Sequence, residues 1–85
     1  MGKIMKHKIG DIVTVKNKEW YFSNCDSYGD VKLRNETFVK EMRIFLGKKV
    51  TIAKIINDKY IIKENHTFYW TDDMFEQYNL KELWD

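Results

Sequence analysis

Apolar and polar positions are most clearly patterned in the second half of the chain. Three short apolar runs, Val50–Ile56, Tyr60–Lys63 and Phe68–Thr71, are separated by two polar turn candidates, Asn57-Asp58 and Glu64-Asn65-His66. Short runs rich in Val, Ile, Tyr and Phe between Asn and Asp residues are typical of β-strands joined by tight turns. The pattern therefore predicts a β-meander, around which we expect the rest of the chain to be organised.

The first half of the chain has a mixed pattern. Ile9–Lys16 predicts a strand, and Val31–Arg34 alternates apolar and basic residues as an edge strand does. The aromatic cluster Trp20-Tyr21-Phe22 is consistent with a further short strand. Ser23–Asp30 is composed of turn-forming residues and predicts an exposed loop.

Helical spacing is confined to short segments. In Glu36–Phe45 the apolar residues Phe38, Met42 and Phe45 fall on one helical stripe, and Gly47 follows at the position of a C-cap. This spacing predicts one or two helical turns that plug an end of the fold.

Two more helical segments are predicted near the C-terminus. Thr71–Phe75 predicts a further single turn, with Met74 and Phe75 folded inward. Tyr78–Asp85 predicts a final short helix.

Composition indicates a single small domain. The chain has 85 residues, of which 44% are hydrophobic and 15% aromatic, enough for one core. The net charge of +2 is too small to indicate a nucleic-acid partner by itself. Residues 1–18 carry five Lys against Asp11, a net of +4, and residues 71–85 carry five acids against Lys81, a net of −4. We interpret this asymmetry as mutual attraction of the two ends, with a dipolar binding surface as the alternative.

The single cysteine and the lack of long apolar runs indicate where the protein is located, and the few reactive side chains limit its chemistry. Cys25 is the only cysteine, which fits a reducing compartment, and no apolar run approaches the length of a membrane span. We therefore expect a cytoplasmic protein that does not associate with membranes. His7, Cys25 and His66 are the only candidates for a nucleophile–base pair or a zinc site, and as zinc ligands they are too few and too scattered. A nucleophilic cysteine is not expected either, because Cys25 lies beside Asp26 in a predicted exposed loop and His66 lies in a predicted hairpin turn. No glycine-rich phosphate loop is present. We expect no enzymatic activity, no cofactor and no metal.

Eight phrases occur in a fixed order along the chain: Ile9-Gly10-Asp11, Lys18-Glu19-Trp20-Tyr21, Gly29-Asp30-Val31, Phe38-Val39, Glu41-Met42, Gly47-Lys48, Thr51-Ile52 and Tyr69–Glu76. In order and spacing they resemble a family of short, uncharacterised proteins encoded by bacterial genomes and their prophages. The resemblance covers about residues 9–76, leaving a basic lead-in, residues 1–8, and an acidic tail, residues 77–85, outside it. It implies one small Src-homology-3-like (SH3-like) barrel of about five strands, and no activity or ligand.

For function we expect a non-enzymatic protein-interaction module, monomeric by default, with an unknown protein partner. SH3-like barrels often bind extended segments in grooves lined by aromatic residues. The candidate binding surface consists of Trp20, Tyr21, Tyr28 and Tyr69.

The alternative function is weak binding of single-stranded nucleic acid by the same aromatics together with nearby basic residues. Those basic residues are Lys16, Lys18, Lys32, Arg34, Lys48 and Lys49. A purely structural interpretation also stays open, in which the core aromatics are Trp20, Phe22, Phe68, Trp70 and Phe75.

Overall fold

Six β-strands, one α-helix and two 3₁₀ helices make up the part of the chain, residues 6–76, that the computed structural model describes. The strands form two antiparallel sheets, one of four strands in the order β1-β4-β5-β6 and one of two strands, β2-β3. The prediction of a mostly β fold is confirmed. In chain order the elements are β1 (Ile12–Thr14), α1 (Lys18–Asn24), β2 (Val31–Lys32), β3 (Thr37–Phe38), the first 3₁₀ helix (Lys40–Phe45), β4 (Lys49–Ile56), β5 (Lys59–Ile62), β6 (Asn65–Trp70) and the second 3₁₀ helix (Asp72–Met74).

Strands β4, β5 and β6 form the meander predicted from the three apolar runs. The β4–β5 hairpin turns at Asn57 and Asp58, whose φ angles are 51° and 64°. Positive φ at both central residues matches the right-handed twist of a hairpin, and Asn and Asp tolerate it better than most residues. The β5–β6 pairing shifts register between Tyr60 and Ile62, so β6 bulges away from β5.

Strand β1 joins the meander to the end of the described chain. On one side it pairs with β4 in antiparallel register, with Val13 opposite Val50. On the other side Val15 forms an antiparallel bridge with Phe75, and the Glu76 amide donates to the Thr14 carbonyl at 2.7 Å. This pairing holds the second 3₁₀ helix against β1, and Met74 and Phe75 are buried as predicted.

The segment around Trp20 is helical, and the prediction of a short strand there is wrong. Asn17 caps α1, because its side-chain oxygen accepts a hydrogen bond from the Trp20 amide at 2.9 Å. Glu19 in the first turn favours the same helix start. The Cys25 amide donates to the Tyr21 carbonyl at the other end. The exposed loop predicted over Ser23–Asp30 therefore begins only after Asn24.

The first 3₁₀ helix begins later than the sequence pattern predicts. Within Glu36–Phe45, Thr37 and Phe38 belong to β3 and pair with β2, and helical structure starts at Lys40. Met42 is buried as the stripe predicts, and Gly47 follows the C-cap residue Leu46 with a φ of 75°. The helix predicted over Tyr78–Asp85 lies outside the described residues.

One continuous core connects both sheets with α1 and the two 3₁₀ helices. Trp70 is at its centre, where it stacks on Phe75 and meets Phe38 and Phe45 edge to face, all at ring-centroid distances of 5.7–5.8 Å. Trp20 and Phe68 are partly buried and pack against this cluster. The buried members are Val13, Val15, Tyr21, Val31, Phe38, Met42, Val50, Ile52, Tyr60, Ile62, Trp70, Met74 and Phe75.

The small sheet β2-β3 is tied to the meander by one ion pair. Lys59 on β5 approaches the carboxylate of Glu36, which precedes β3, at 3.0 Å. Both side chains are partly exposed, so this contact orients the small sheet and contributes little to stability.

Candidate functional site

Two neighbouring aromatic residues of α1 differ sharply in burial, although their rings touch edge to face at a centroid distance of 5.1 Å. Successive residues of a helix are rotated by about 100°, so Tyr21 enters the core while Phe22 points outward. Tyr21 is 2% exposed and its hydroxyl donates to the Gly29 carbonyl, whereas 68% of Phe22 is exposed. In a strand, Trp20 and Phe22 would lie on one face and Tyr21 on the other. The helix therefore reverses the expected roles of Tyr21 and Phe22.

Phe22 lines a groove between α1 and the first 3₁₀ helix. Across the groove lies Ile44, which is 64% exposed, and Leu46 forms part of the apolar lining. Lys18 and Arg43 complete the lining, and the groove encloses about 320 Å³. We call these five residues, Lys18, Phe22, Arg43, Ile44 and Leu46, the α1 groove.

A second depression continues the α1 groove along the start of the helix. It shares Lys18 and Leu46 with the α1 groove and adds Asn17, Glu19 and Gly47, with a volume of about 310 Å³. The Gly47 amide donates to the Lys16 carbonyl, which fixes the rim of this depression to the end of β1. Together the two depressions form an extended surface whose apolar part lies between Phe22 and Ile44.

A basic residue lies on each side of the α1 groove, Lys18 on α1 and Arg43 on the first 3₁₀ helix. The Arg43 guanidinium is oriented by a hydrogen bond of 2.8 Å from Nε to the Lys40 carbonyl. Among residues 6–76, neither Lys18 nor Arg43 forms an ion pair, whereas Lys32 and Lys59 each approach a carboxylate. The groove can therefore accept an apolar side chain and, beside it, an anionic group.

The four residues predicted to form a binding surface lie on three different elements. Trp20 and Tyr21 are both on α1, but Trp20 meets Phe38 edge to face and Tyr21 is buried. The assignment of Tyr21 to a surface is wrong, because the helix turns its ring inward. Tyr28 and Tyr69 are exposed, by 77% and 45%, in the turn before β2 and on β6 respectively.

The two exposed tyrosines have different surroundings. Tyr28 is held at the tip of a turn by Asp26, whose carboxylate accepts the amides of Asp30 and Tyr28 at 3.1 and 2.9 Å. These amide hydrogen bonds, that of Asp30 first, hold the pKa of Asp26 below its ordinary value. Tyr69 has the Lys59 ammonium 5.8 Å from its ring centroid.

The sequence pattern did not identify four residues of the α1 groove as binding residues, namely Phe22, Ile44, Leu46 and Arg43. The sequence does contain a signal for a helix here, since Asn17 followed by Glu19 is a helix-start pattern, but it does not indicate which aromatic residue enters the core. No local pattern connects Phe22 with Ile44, because the groove forms only when two elements distant in sequence pack together.

A second cluster of polar groups, around Tyr60, lies inside the fold. The Tyr60 hydroxyl donates to the Asp72 carboxylate at 2.7 Å and accepts the His7 amide at 3.1 Å. Burial, followed by the hydrogen bond to Asp72, raises the pKa of Tyr60 to about 12. The hydroxyl therefore remains a protonated donor at neutral pH. We call His7, Tyr60 and Asp72 the tyrosine cluster.

The tyrosine cluster anchors the N-terminal segment to the core. The His7 ring lies 5.7 Å from the rings of both Tyr60 and Phe75, and its Nε2 is 3.8 Å from an Asp72 carboxylate oxygen. A polar cavity of about 480 Å³ lies beside Asp72, and its lining includes Lys6, Arg34, Asn35 and Asp73. Basic and acidic groups alternate around this cavity, so it has no single charge preference.

The described residues also bear on metal binding, on Cys25 and on membrane spans. Between residues 6 and 76, no group of three or more His, Cys, Asp or Glu side chains could hold a metal ion. Cys25 is a partly buried thiol at the end of α1 that packs against the core. No helix in this part of the chain is long and apolar enough to span a bilayer.

No protein-family model, curated protein or solved structure matches this chain.

Proposed function

We propose that this protein is a non-enzymatic protein-interaction module that binds its partner in the α1 groove. The observation that carries the proposal is the pair Phe22 and Ile44, two large apolar side chains that are mostly exposed and line the same groove. Single exposed apolar residues are common on protein surfaces, whereas two that line one groove offer a partner a joint apolar contact. Phe22 offers a rigid ring of the kind that anchors protein interfaces.

Single-stranded nucleic acid is the second candidate for the same groove. Phe22 could stack one base, and Lys18 and Arg43 could contact phosphates. Strong binding through the backbone uses about 6–10 phosphate contacts, and the groove offers two cations. Its remaining lining, Ile44 and Leu46, is aliphatic and suits an apolar side chain better than a base. The balance favours a protein ligand.

The fold that we propose for this module is a small SH3-like barrel. Two antiparallel sheets share one core, β1 is bonded on both sides, and a long connection carrying α1 separates β1 from β2. From the resemblance to bacterial and prophage-encoded proteins we further infer a cytoplasmic, monomeric protein whose partner is a bacterial protein.

Affinity capture from a bacterial lysate tests the proposal. The wild-type protein and two variants, Phe22→Ser and Tyr28→Ser, are used as bait with and without nuclease, and the captured proteins are identified by mass spectrometry. Tyr28 is the matched control, since it is an exposed aromatic residue that is not part of the α1 groove. We expect a nuclease-resistant partner that Phe22→Ser loses and Tyr28→Ser retains.

Two outcomes of the capture experiment would contradict the proposal. A partner lost with Tyr28→Ser and kept with Phe22→Ser would move the binding surface to the turn before β2. Capture that disappears with nuclease would favour the nucleic-acid function.

A further inference from the structure

We infer that the α1 groove selects an acidic segment of its partner, in which an apolar side chain fills the space between Phe22 and Ile44 and a neighbouring carboxylate binds Arg43. This inference rests on the proposed function and adds the chemistry of the ligand. Its basis is the pairing of an exposed apolar lining with cations that no described acidic residue neutralises.

Arg43 is prepared to receive a carboxylate. Its Nε is occupied by the Lys40 carbonyl at 2.8 Å, and that carbonyl belongs to the same 3₁₀ helix as Arg43. The guanidinium is thus oriented before any ligand arrives, while its terminal N–H groups stay available. A planar guanidinium pairs with a carboxylate through two parallel hydrogen bonds, a geometry that a lysine ammonium cannot provide.

The distribution of charge also orients the ligand. Glu19 lies in the depression that continues the α1 groove beyond Lys18, and Arg43 lies in the groove proper. A carboxylate near Glu19 would meet a like charge, which is unfavourable. We therefore place the acidic residue of the ligand at the Arg43 end, where Ile44 adjoins it in sequence.

The expected change in ligand affinity follows from the solvent exposure of the Arg43 side chain. Ion pairs at an exposed rim change affinity by up to about fivefold each, so the carboxylate tunes selection and the apolar contact supplies most of the affinity. Loss of the charge should weaken binding by a few fold, whereas loss of Phe22 should abolish it.

Fluorescence polarisation with three labelled peptides tests the inference. All share the central sequence Leu-Phe, which is flanked on both sides by two Glu, two Gln or two Lys residues. We expect the Glu peptide to bind about fivefold more tightly than the Gln peptide, and the Lys peptide to bind most weakly. Arg43→Gln should remove the preference for Glu over Gln, and Lys54→Gln, at an exposed position of β4, should preserve it.

The outcomes separate this inference from the proposed function. Equal affinity for the Glu and Gln peptides, with both lost in Phe22→Ser, would overturn the charge selection and support the groove as a binding site. A Glu preference that persists in Arg43→Gln would also overturn it. If none of the three peptides binds while lysate capture still depends on Phe22, the ligand chemistry inferred here is wrong and the proposed function stands.

Discussion

The tyrosine cluster and the α1 groove use similar residues in opposite ways. In the cluster, the ring of Tyr60 is fully buried and its hydroxyl is bonded to both Asp72 and the His7 amide. In the groove, Phe22 and Ile44 are mostly exposed, and the nearby cations form no ion pair with another described residue. Because it is buried and hydrogen-bonded, the tyrosine cluster contributes to stability. Because it is exposed, the α1 groove is available to a ligand. The two properties should therefore respond to different substitutions.

The largest expected effect is at the centre of the core, on the stability side of the comparison. Trp70→Ala removes a ring that contacts Phe38, Phe45 and Phe75, and replacing a buried Trp by Ala typically costs about 3–5 kcal/mol. For a small domain this approaches the whole free energy of unfolding. Urea denaturation followed by circular dichroism should show a variant that is largely unfolded without denaturant. A variant with a near-normal midpoint would contradict the assignment of Trp70 to the core.

The tyrosine cluster predicts a loss of stability in alkali. Below pH 10 Tyr60 is protonated in both the folded and the unfolded states, so its contribution is complete. Between pH 10 and its folded pKa of about 12 the unfolded state loses the proton first, so stability falls as pH rises. The loss amounts to roughly 2–3 kcal/mol across this window.

Tyr60→Phe is the control for the alkaline effect, because it removes the Tyr60 hydroxyl and leaves every other titratable group in place. The variant should be less stable at pH 7, since it loses the hydrogen bonds to Asp72 and the His7 amide, but its stability should decline less between pH 10 and 12. Parallel pH profiles of the two proteins, measured by urea denaturation, would show that Tyr60 does not titrate as described.

The N-cap of α1 should affect both stability and ligand binding, and its effect on stability should be smaller than those of Trp70 and Tyr60. Asn17→Ala removes the acceptor of the Trp20 amide, and loss of such a cap costs about 1 kcal/mol. Because α1 carries both Lys18 and Phe22, the same change should weaken ligand binding modestly. Asn17→Asp keeps the cap and should restore both the urea midpoint and the capture of partner. Weakened binding in Asn17→Asp as well would separate the cap from the groove.

The contrast between regions also explains which parts of the fold the sequence predicts. The meander is predictable because its apolar runs are punctuated by Asn and Asp at hairpin positions, and strand periodicity is a local property. Three consecutive aromatics at Trp20-Tyr21-Phe22 carry no periodicity, so only the cap at Asn17 distinguishes a helix from a strand. The side on which Phe22 lies follows from the helical conformation, which the three aromatic residues do not indicate by themselves.

The candidate site itself was predicted only in part. An aromatic binding surface near the first long connection was expected, and two exposed aromatic residues lie there: Tyr28, which was predicted, and Phe22, which was not. Ile44 and Arg43 come from a distant 3₁₀ helix, and their approach to α1 depends on tertiary packing. The contact of His7 with Tyr60, 53 residues apart, is equally invisible to local pattern.

Phe22→Ser, studied for unfolding and for partner capture in the same preparation, tests most directly whether stability and binding are separate. Phe22 is a largely exposed side chain whose ring touches that of Tyr21 edge to face, so its replacement should lower the free energy of unfolding by only about 1 kcal/mol. Our account predicts a urea midpoint close to that of the wild type together with loss of the captured partner. An unchanged midpoint with full capture, or a midpoint lowered as in a core variant, would contradict it.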